Sequence, residues 1–272
     1  MRPLLLPLMC CACFASFPAF AQLESETVSR ELDLRRPAPP AEKAPRFVLA
    51  ASSFKERYRY EVAGFQRLLP LAPHIRRCVE SQRAISGEFH TRLDFLIEPS
   101  GKLKSFSVRH SLDQLHACLL PHALALTFPP FGGEPSFTLQ VIVASPGVQL
   151  GRRVPAKPVA VYPVATDEER RAYLMAASWV YTPWSMGIDR CAEWVDQSMG
   201  FGYTVGLEVE VTSAGRPSSA RLKLEGKRAS KALDSLSRCV LPFVKAMELP
   251  RHGGARPVLY RKGTRTAGWG IR

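Results

Sequence analysis

The chain has 272 residues, of which 46% are hydrophobic, and its 37 Lys and Arg outnumber its 24 Asp and Glu to give a formal net charge of +13. Enough apolar residues are present to build packed cores, which excludes a wholly disordered protein. The basic excess suits anionic partners such as acidic protein faces, lipid headgroups or an anionic envelope polymer.

The first 21 residues are predicted to be a secretory signal peptide. Arg2 supplies the positive start, residues 4–17 an apolar run, and Ala19-Phe20-Ala21 a small-x-small cleavage site. Cleavage would remove one arginine and no acid, and would lower the net charge from +13 to +12. The segment predicts a protein exported to the periplasm, where nucleic acid is a poor partner; an uncleaved membrane anchor is the competing interpretation. No later segment is apolar enough to span a membrane.

Two Pro-rich stretches, residues 22–50 and 145–164, are predicted to be extended linkers. They leave two domains of ordinary size, at residues 51–144 and 165–262, followed by a flexible tail over residues 263–272.

In the first domain, apolar residues at helical spacing predict a helix from Phe54 that ends before Pro70, and a second helix carries Cys78. Alternating apolar and polar residues from Phe89 to Glu98 predict a half-buried strand, which residues 99–102 turn back into a second strand through Val108. A third helix from Asp113 to about Leu126 and a last strand over residues 137–143 complete the unit.

The second domain repeats the first. Ile75-x-Arg77-Cys78 returns as Ile188-x-Arg190-Cys191, 113 residues later. The glycine turn Gly101-Lys102 returns as Gly215-Arg216, and Leu115-x-x-Cys118 returns as Leu236-x-x-Cys239. The predicted fold class is therefore α+β: two tandem small sandwiches, each an antiparallel sheet of about three strands with helices on one face.

The four cysteines outside the signal segment predict disulfides, since an even number in an exported protein favours them over free thiols. Of the three pairings that four cysteines allow, Cys78 with Cys118 and Cys191 with Cys239 makes each repeat self-contained. Closing a loop of about 40 residues stabilises a domain by roughly 3 to 4 kcal/mol in the chain-entropy model.

Three stretches of repeat one together form a recognisable pattern. They are Gly87-x-Phe89-x-x-x-Leu93-x-Phe95-x-Ile97-x-x-x-Gly101, then Leu115-x-x-Cys118 with Phe128-Pro129-Pro130, then Phe137-x-Leu139-x-Val141. This pattern resembles the C-terminal domain of TonB-family energy transducers, in particular the cysteine-bearing AgmX/PglI C-terminal type. Repeat two has Leu249-Pro250 in place of Phe-Pro.

The resemblance implies a periplasmic domain that binds envelope proteins by adding its edge strand to an extended peptide of an outer-membrane partner. The candidate edge strand consists of Phe137, Leu139, Val141 and Val143, with residues 258–262 as its counterpart in repeat two. Energy transduction itself needs a membrane anchor and a long spacer, whereas the Pro-rich stretch of about 10 residues reaches only about 30 Å. The prediction is thus a protein-interaction or scaffolding role.

No catalytic or phosphate-binding motif is present, which predicts a protein that is not an enzyme and has no cofactor. The alternative is a metal-binding protein or enzyme using His74, Cys78, Cys118 and His122 as a zinc site. Repeat two has Gly187 and Phe243 in place of the histidines while both of its cysteines remain. Disulfides therefore explain both copies and a metal only one, and no metal ligand is predicted.

Overall fold

The computed structural model describes residues 25–35, 47–49, 53–86, 90–109, 113–144, 161–179, 183–200 and 202–265. The predicted signal peptide, most of both predicted linkers and residues 266–272 lie outside these ranges. The predicted α+β class is confirmed, because each repeat packs helices against an antiparallel sheet. No helix in the described ranges is both long and apolar enough to cross a bilayer.

Repeat one builds a three-stranded sheet in which His90–Ile97 is the middle strand, between Leu103–Val108 and Phe137–Ala144. In Leu93, Phe95 and Ile97 the predicted alternation holds, since all three are buried while the residues between them are half-buried. The elements in chain order are β1 (Glu26–Glu31), β2 (Phe47–Val48), α1 (Phe54–Leu68), a 3₁₀ turn (Leu69–Leu71), α2 (Ala72–Ser86), β3 (His90–Ile97), β4 (Leu103–Val108), α3 (Asp113–Leu124), β5 (Phe131–Gly132) and β6 (Phe137–Ala144).

Repeat two follows the same order with a larger sheet. Its elements are α4 (Asp167–Trp179), α5 (Pro183–Met199), β7 (Tyr203–Val211), β8 (Pro217–Gly226), α6 (Ala229–Lys245) and β9 (Val258–Arg265). A capping box begins α4, since the Glu169 amide donates to the Thr166 hydroxyl and the Thr166 amide to the Glu169 carboxylate. The sheet order is β1-β8-β7-β9, so β1 makes it four-stranded.

Part of the segment predicted to be an extended linker is therefore packed. β1 pairs antiparallel with β8, with Val28 opposite Leu224, and Leu32 just beyond it is buried. The sequence does not indicate this strand, because Val28 is its only aliphatic residue and the proline-rich run after it dominates the local composition. An edge strand with a single half-buried apolar side chain carries little hydrophobic pattern.

Both disulfides join the cysteine pairs expected from the repeat. Cys78 of α2 bonds Cys118 of α3, and Cys191 of α5 bonds Cys239 of α6, over 40 and 48 residues of sequence. Each bond thus fixes the helix before a β-hairpin to the helix after it, which holds both helices on the same face of the sheet.

The structure explains why both repeats have a glycine in the turn of the hairpin. Gly101 and Gly215 have φ of +84° and +79°, and a Cβ on either would lie 2.1 Å from a backbone carbonyl oxygen, that of Phe128 or Leu249. The same two residues donate their amides to the glycine carbonyls, both at 2.9 Å. Hence Phe128 and Leu249 are equivalent positions although their side chains differ.

The two repeats share one connected core rather than two separate ones. α1 of repeat one packs on α5 of repeat two. Arg76 of α2 also donates to the Leu249 carbonyl across the boundary, at 3.0 Å.

A tyrosine occupies the same place in each repeat with different hydrogen bonding. Tyr60 is buried and donates its hydroxyl to the Pro129 carbonyl at 3.1 Å, whereas the buried hydroxyl of Tyr173 has no hydrogen-bond partner among the described residues. Burial raises the pKa of Tyr173 to about 12, because the ionised form is the more costly to bury.

Mild reduction is expected to open the disulfide of repeat one before that of repeat two. Cys118 is exposed, while Cys191 and Cys239 are both buried, so a small thiol reaches only the first bond without local unfolding. Timed reduction, alkylation and peptide mass analysis would measure the order. Equal rates of opening would contradict it.

Replacing each tyrosine by phenylalanine is expected to give opposite results. Tyr60→Phe should lower the free energy of unfolding by about 1 kcal/mol through the lost hydrogen bond, whereas Tyr173→Phe should leave it unchanged or raise it by a few tenths of a kcal/mol. Urea unfolding of both variants provides the comparison, and each serves as the size-matched control for the other. A similar loss in the two would show that the Tyr173 hydroxyl also has a partner.

Candidate functional site: the cleft between the repeats

The predicted edge strand, β6, does lie at an edge of its sheet, but the four side chains predicted to form the binding edge face inward. Phe137, Leu139, Val141 and Val143 are each no more than 2% exposed and pack in the core. Their backbone groups also face inward, toward β3, with which they pair residue by residue. They therefore build the strand and are not themselves the surface that a partner would meet.

The outward backbone groups of β6 belong to the residues between them. The Arg109 amide donates to the Arg92 carbonyl, so the even positions of β3 bond β4 and its odd positions bond β6. The N–H and C=O groups of Thr138, Gln140 and Ile142 consequently point away from the sheet. The sequence could not identify them, because side-chain alternation does not fix which backbone groups face which neighbour.

One end of this edge is covered by repeat two. The Ile142 amide lies 3.3 Å from the Met186 sulfur of α5, so its outward N–H already has a weak acceptor. Thr138 and Gln140 are exposed, and no other strand of the described ranges pairs with their side of β6.

A cleft of about 400 Å³ separates this edge from that of repeat two; we call it the inter-repeat cleft. Ile142 of β6 lies on one side, Gly263 and Thr264 of β9 lie on the other, and Met186 and Asp189 of α5 form part of the lining. Lys262 holds Asp189 in an ion pair at 3.0 Å. Both strands predicted as partner-binding edges therefore border one cleft.

Arg190 of α5 joins the two repeats beside the inter-repeat cleft. Its Nε lies 2.6 Å from Glu61 of α1, its guanidinium also pairs with Glu193, and its Cζ lies 5.4 Å from the centre of the Tyr58 ring. The Glu61 side chain is only 16% exposed. Burial raises the pKa of Glu61 above its usual value, and the attraction of Arg190 offsets this only in part.

The histidines of the proposed zinc site do meet. The rings of His74 and His122 lie with centroids 3.6 Å apart, one helical turn from Cys78 and Cys118, beside a second cleft of about 440 Å³. Because both sulfurs are in the disulfide, neither cysteine offers a thiolate to a metal. Within the described ranges, no group of three or more His, Cys, Asp and Glu is placed to hold a metal ion.

The same two positions in repeat two show a packing function. Gly187 stands where repeat one has His74, and Phe243 stands in place of His122; a Cβ on Gly187 would lie 2.1 Å from the Phe243 ring. The missing side chain on one helix is the space that the large ring on the other occupies. The two positions therefore form a coupled pair in each repeat.

Comparison with known proteins adds no assignment, since no family model, curated protein or solved structure matches this chain.

Replacing Arg190 by methionine is expected to destabilise the protein more at pH 7.5 than at pH 4.5. At neutral pH the change leaves Glu61 charged and without its cation, which should cost roughly 2 to 3 kcal/mol of unfolding free energy. A carboxyl whose folded pKa is raised contributes stability below its unfolded value of 4.5, and this stability is lost as the pH rises through the folded pKa. Loss of Arg190 raises that pKa further and widens the window.

Urea unfolding of the wild type and Arg190→Met at the two pH values measures the difference. Adding Glu61→Gln to Arg190→Met is the control, because it removes the titrating group and should remove most of the added pH dependence. The same loss at both pH values in Arg190→Met would contradict a charged Glu61 as the cause.

Proposed function

We propose that this chain is a non-enzymatic periplasmic scaffold, built of two TonB C-terminal-like repeats, that binds extended segments of other envelope proteins by strand addition. The observation that carries the proposal is the outer edge of β6, where Thr138 and Gln140 have no strand partner on that side among the described residues and Ile142 of the same strand lines the inter-repeat cleft. Strand addition needs such groups for affinity and nearby side chains for selectivity.

The cleft offers a partner both signs of charge. Asp189, Arg190, Glu193 and Lys262 line it, and ion pairs hold all four in place. A preformed lining of this kind selects a peptide by its polar side chains at little cost in ordering. The net charge, +13 for the whole sequence and +12 after signal cleavage, further favours partners that are acidic, whether proteins or an anionic envelope polymer.

The compartment is supported by two independent features. The first 21 residues have the pattern of a secretory signal, and the two disulfides are typical of an oxidising compartment. Together they favour the periplasm, where an outer-membrane protein could present an extended segment.

Gln140→Pro is expected to weaken partner binding, whereas Gln140→Ala is not. The Gln140 N–H points away from β3, so proline removes an outward donor without breaking the sheet, and alanine keeps the donor at the same position. Loss of one ladder hydrogen bond, with the ring in its place, should lower affinity about tenfold or more.

A photoreactive residue at position 138, in protein exported to the periplasm, would first identify the bound protein by cross-linking and mass spectrometry. Binding of that purified protein to the wild type and both variants then gives the dissociation constants. Equal affinities for Gln140→Pro and Gln140→Ala would rule out strand addition at β6.

A further inference from the structure

Repeat two already holds an added strand. β1 precedes repeat one in the chain, yet it pairs antiparallel with the outer edge of β8 in repeat two, about 200 residues later in the sequence. The Leu32 amide continues the ladder by donating to the Ala220 carbonyl at 2.8 Å. The edge of β8 is therefore able to bind an extended segment that is not part of its own repeat.

The contacts of β1 amount to a recognition pattern. The Glu26 carboxylate accepts from the amide and the hydroxyl of Ser230 in the first turn of α6, at 2.8 and 2.9 Å. Helix N-termini favour such a negative group. Val28 packs against the core and Leu32 is buried, so two aliphatic side chains fix the register.

Two ion pairs complete the pattern. Arg30 pairs with Asp234 of α6 at 2.6 Å, and Glu31 pairs with Arg221 of β8 at 2.9 Å. Over residues 26–32 the pattern is therefore an acidic residue, any residue, an aliphatic residue, any residue, a basic residue, an acidic residue and an aliphatic residue.

β1 is held weakly for a strand. Its ion pairs are exposed, with Arg30 at 44% and Glu31 at 77%, and exposed pairs contribute little to stability. Within β1 the one aliphatic side chain, Val28, is half-buried, and the buried Leu32 lies just beyond the strand. Segments with few buried apolar contacts open first, so β1 is among the parts of the fold that are most easily displaced.

We propose that the outer edge of β8 is a second peptide-binding site, and that β1 is a resident segment which an extended segment of a partner protein with the same acidic-aliphatic-basic pattern displaces. This inference shares with the proposed function only the mode of recognition, since the edge is a different one. A second copy of this chain is the weaker occupant, because exchanging identical strands forms no new contact and costs the freedom of one molecule.

The test loosens β1 in the full-length chain and supplies the segment in trans. Antiparallel pairing of Leu32 with Ala220 places the Val28 N–H toward β8 and the Ser29 N–H toward solvent. Val28→Pro therefore removes a ladder donor, and Ser29→Pro is its matched control. The probe is a fluorescent peptide of residues 25–35, followed by anisotropy.

The peptide is expected to bind Val28→Pro at least about tenfold more tightly than it binds the wild type or Ser29→Pro, since the freed edge no longer has a resident competitor. A Glu26→Gln peptide should bind about fivefold more weakly through loss of the charged cap. An Arg30→Asp peptide should also bind weakly and should recover on the Val28→Pro protein that also carries Asp234→Arg.

Two results would overturn the proposal. In the first, Val28→Pro keeps both disulfides and the wild-type circular dichroism spectrum but binds the peptide no better than the wild type does, so that β1 merely closes the sheet. In the second, sedimentation shows a wild-type dimer that Val28→Pro abolishes, so that the occupant is a second copy. The proposed function is tested by a separate measurement, and equal partner affinities of Gln140→Pro and Gln140→Ala would overturn it alone.

Discussion

The covalent link between two helices on one face of a small sheet is the constraint on which each repeat depends. A hairpin and one further strand bury little apolar surface by themselves, so the helices must cover them in a fixed position. Cys78–Cys118 and Cys191–Cys239 fix that position. By closing their loops, they each stabilise a repeat by roughly 4 kcal/mol in the chain-entropy model. The helices in turn determine which edges stay open, because α5 covers the end of β6 at Ile142. The placement of the inter-repeat cleft thus follows from the same constraint.

Equivalent positions in the two repeats have been put to different uses. Arg190 joins the repeats through Glu61, while its counterpart Arg77 contacts His74 within its own helix. The position equivalent to Glu61 in repeat two is Leu174, which packs against apolar residues instead. A repeated sequence therefore produces an interface that occurs only once, in which α1 packs on α5 and Arg76 of α2 donates to the Leu249 carbonyl. Arg190, Glu61 and Glu193 are partly buried at this interface, so removing one partner would leave an uncompensated charge and destabilise the fold.

Much of the architecture could be predicted from the sequence, because its signals lie in residues that are close together along the chain. Helical spacing from Phe54 and alternation around Phe95 depend on which side of an element is buried, and the turn at Gly101 depends on backbone conformation, so neighbouring residues carry these signals. β1 was missed because its pairing depends on residues about 200 positions away, such as Ser230, which no local pattern contains. The candidate edge was predicted at the right strand, but its outward groups depend on register with β3, which the sequence of β6 does not specify. Likewise, no pattern indicates that α5 would cover Ile142.

The pairing of β1 with β8 also sets an order for maturation. Glu31 and Arg221 are 190 residues apart, so the ladder between their strands closes a loop that contains all of repeat one. A chain that enters a compartment amino terminus first delivers β1 before repeat one and β8 after it. Repeat one can form its disulfide and its sheet in the interval, whereas β1 must wait for β8 before it can pair. Residues 26–32 therefore stay without their strand partner until the whole of repeat one and the first strand of repeat two have entered, whereas every other strand of the larger sheet has its neighbour close by in sequence.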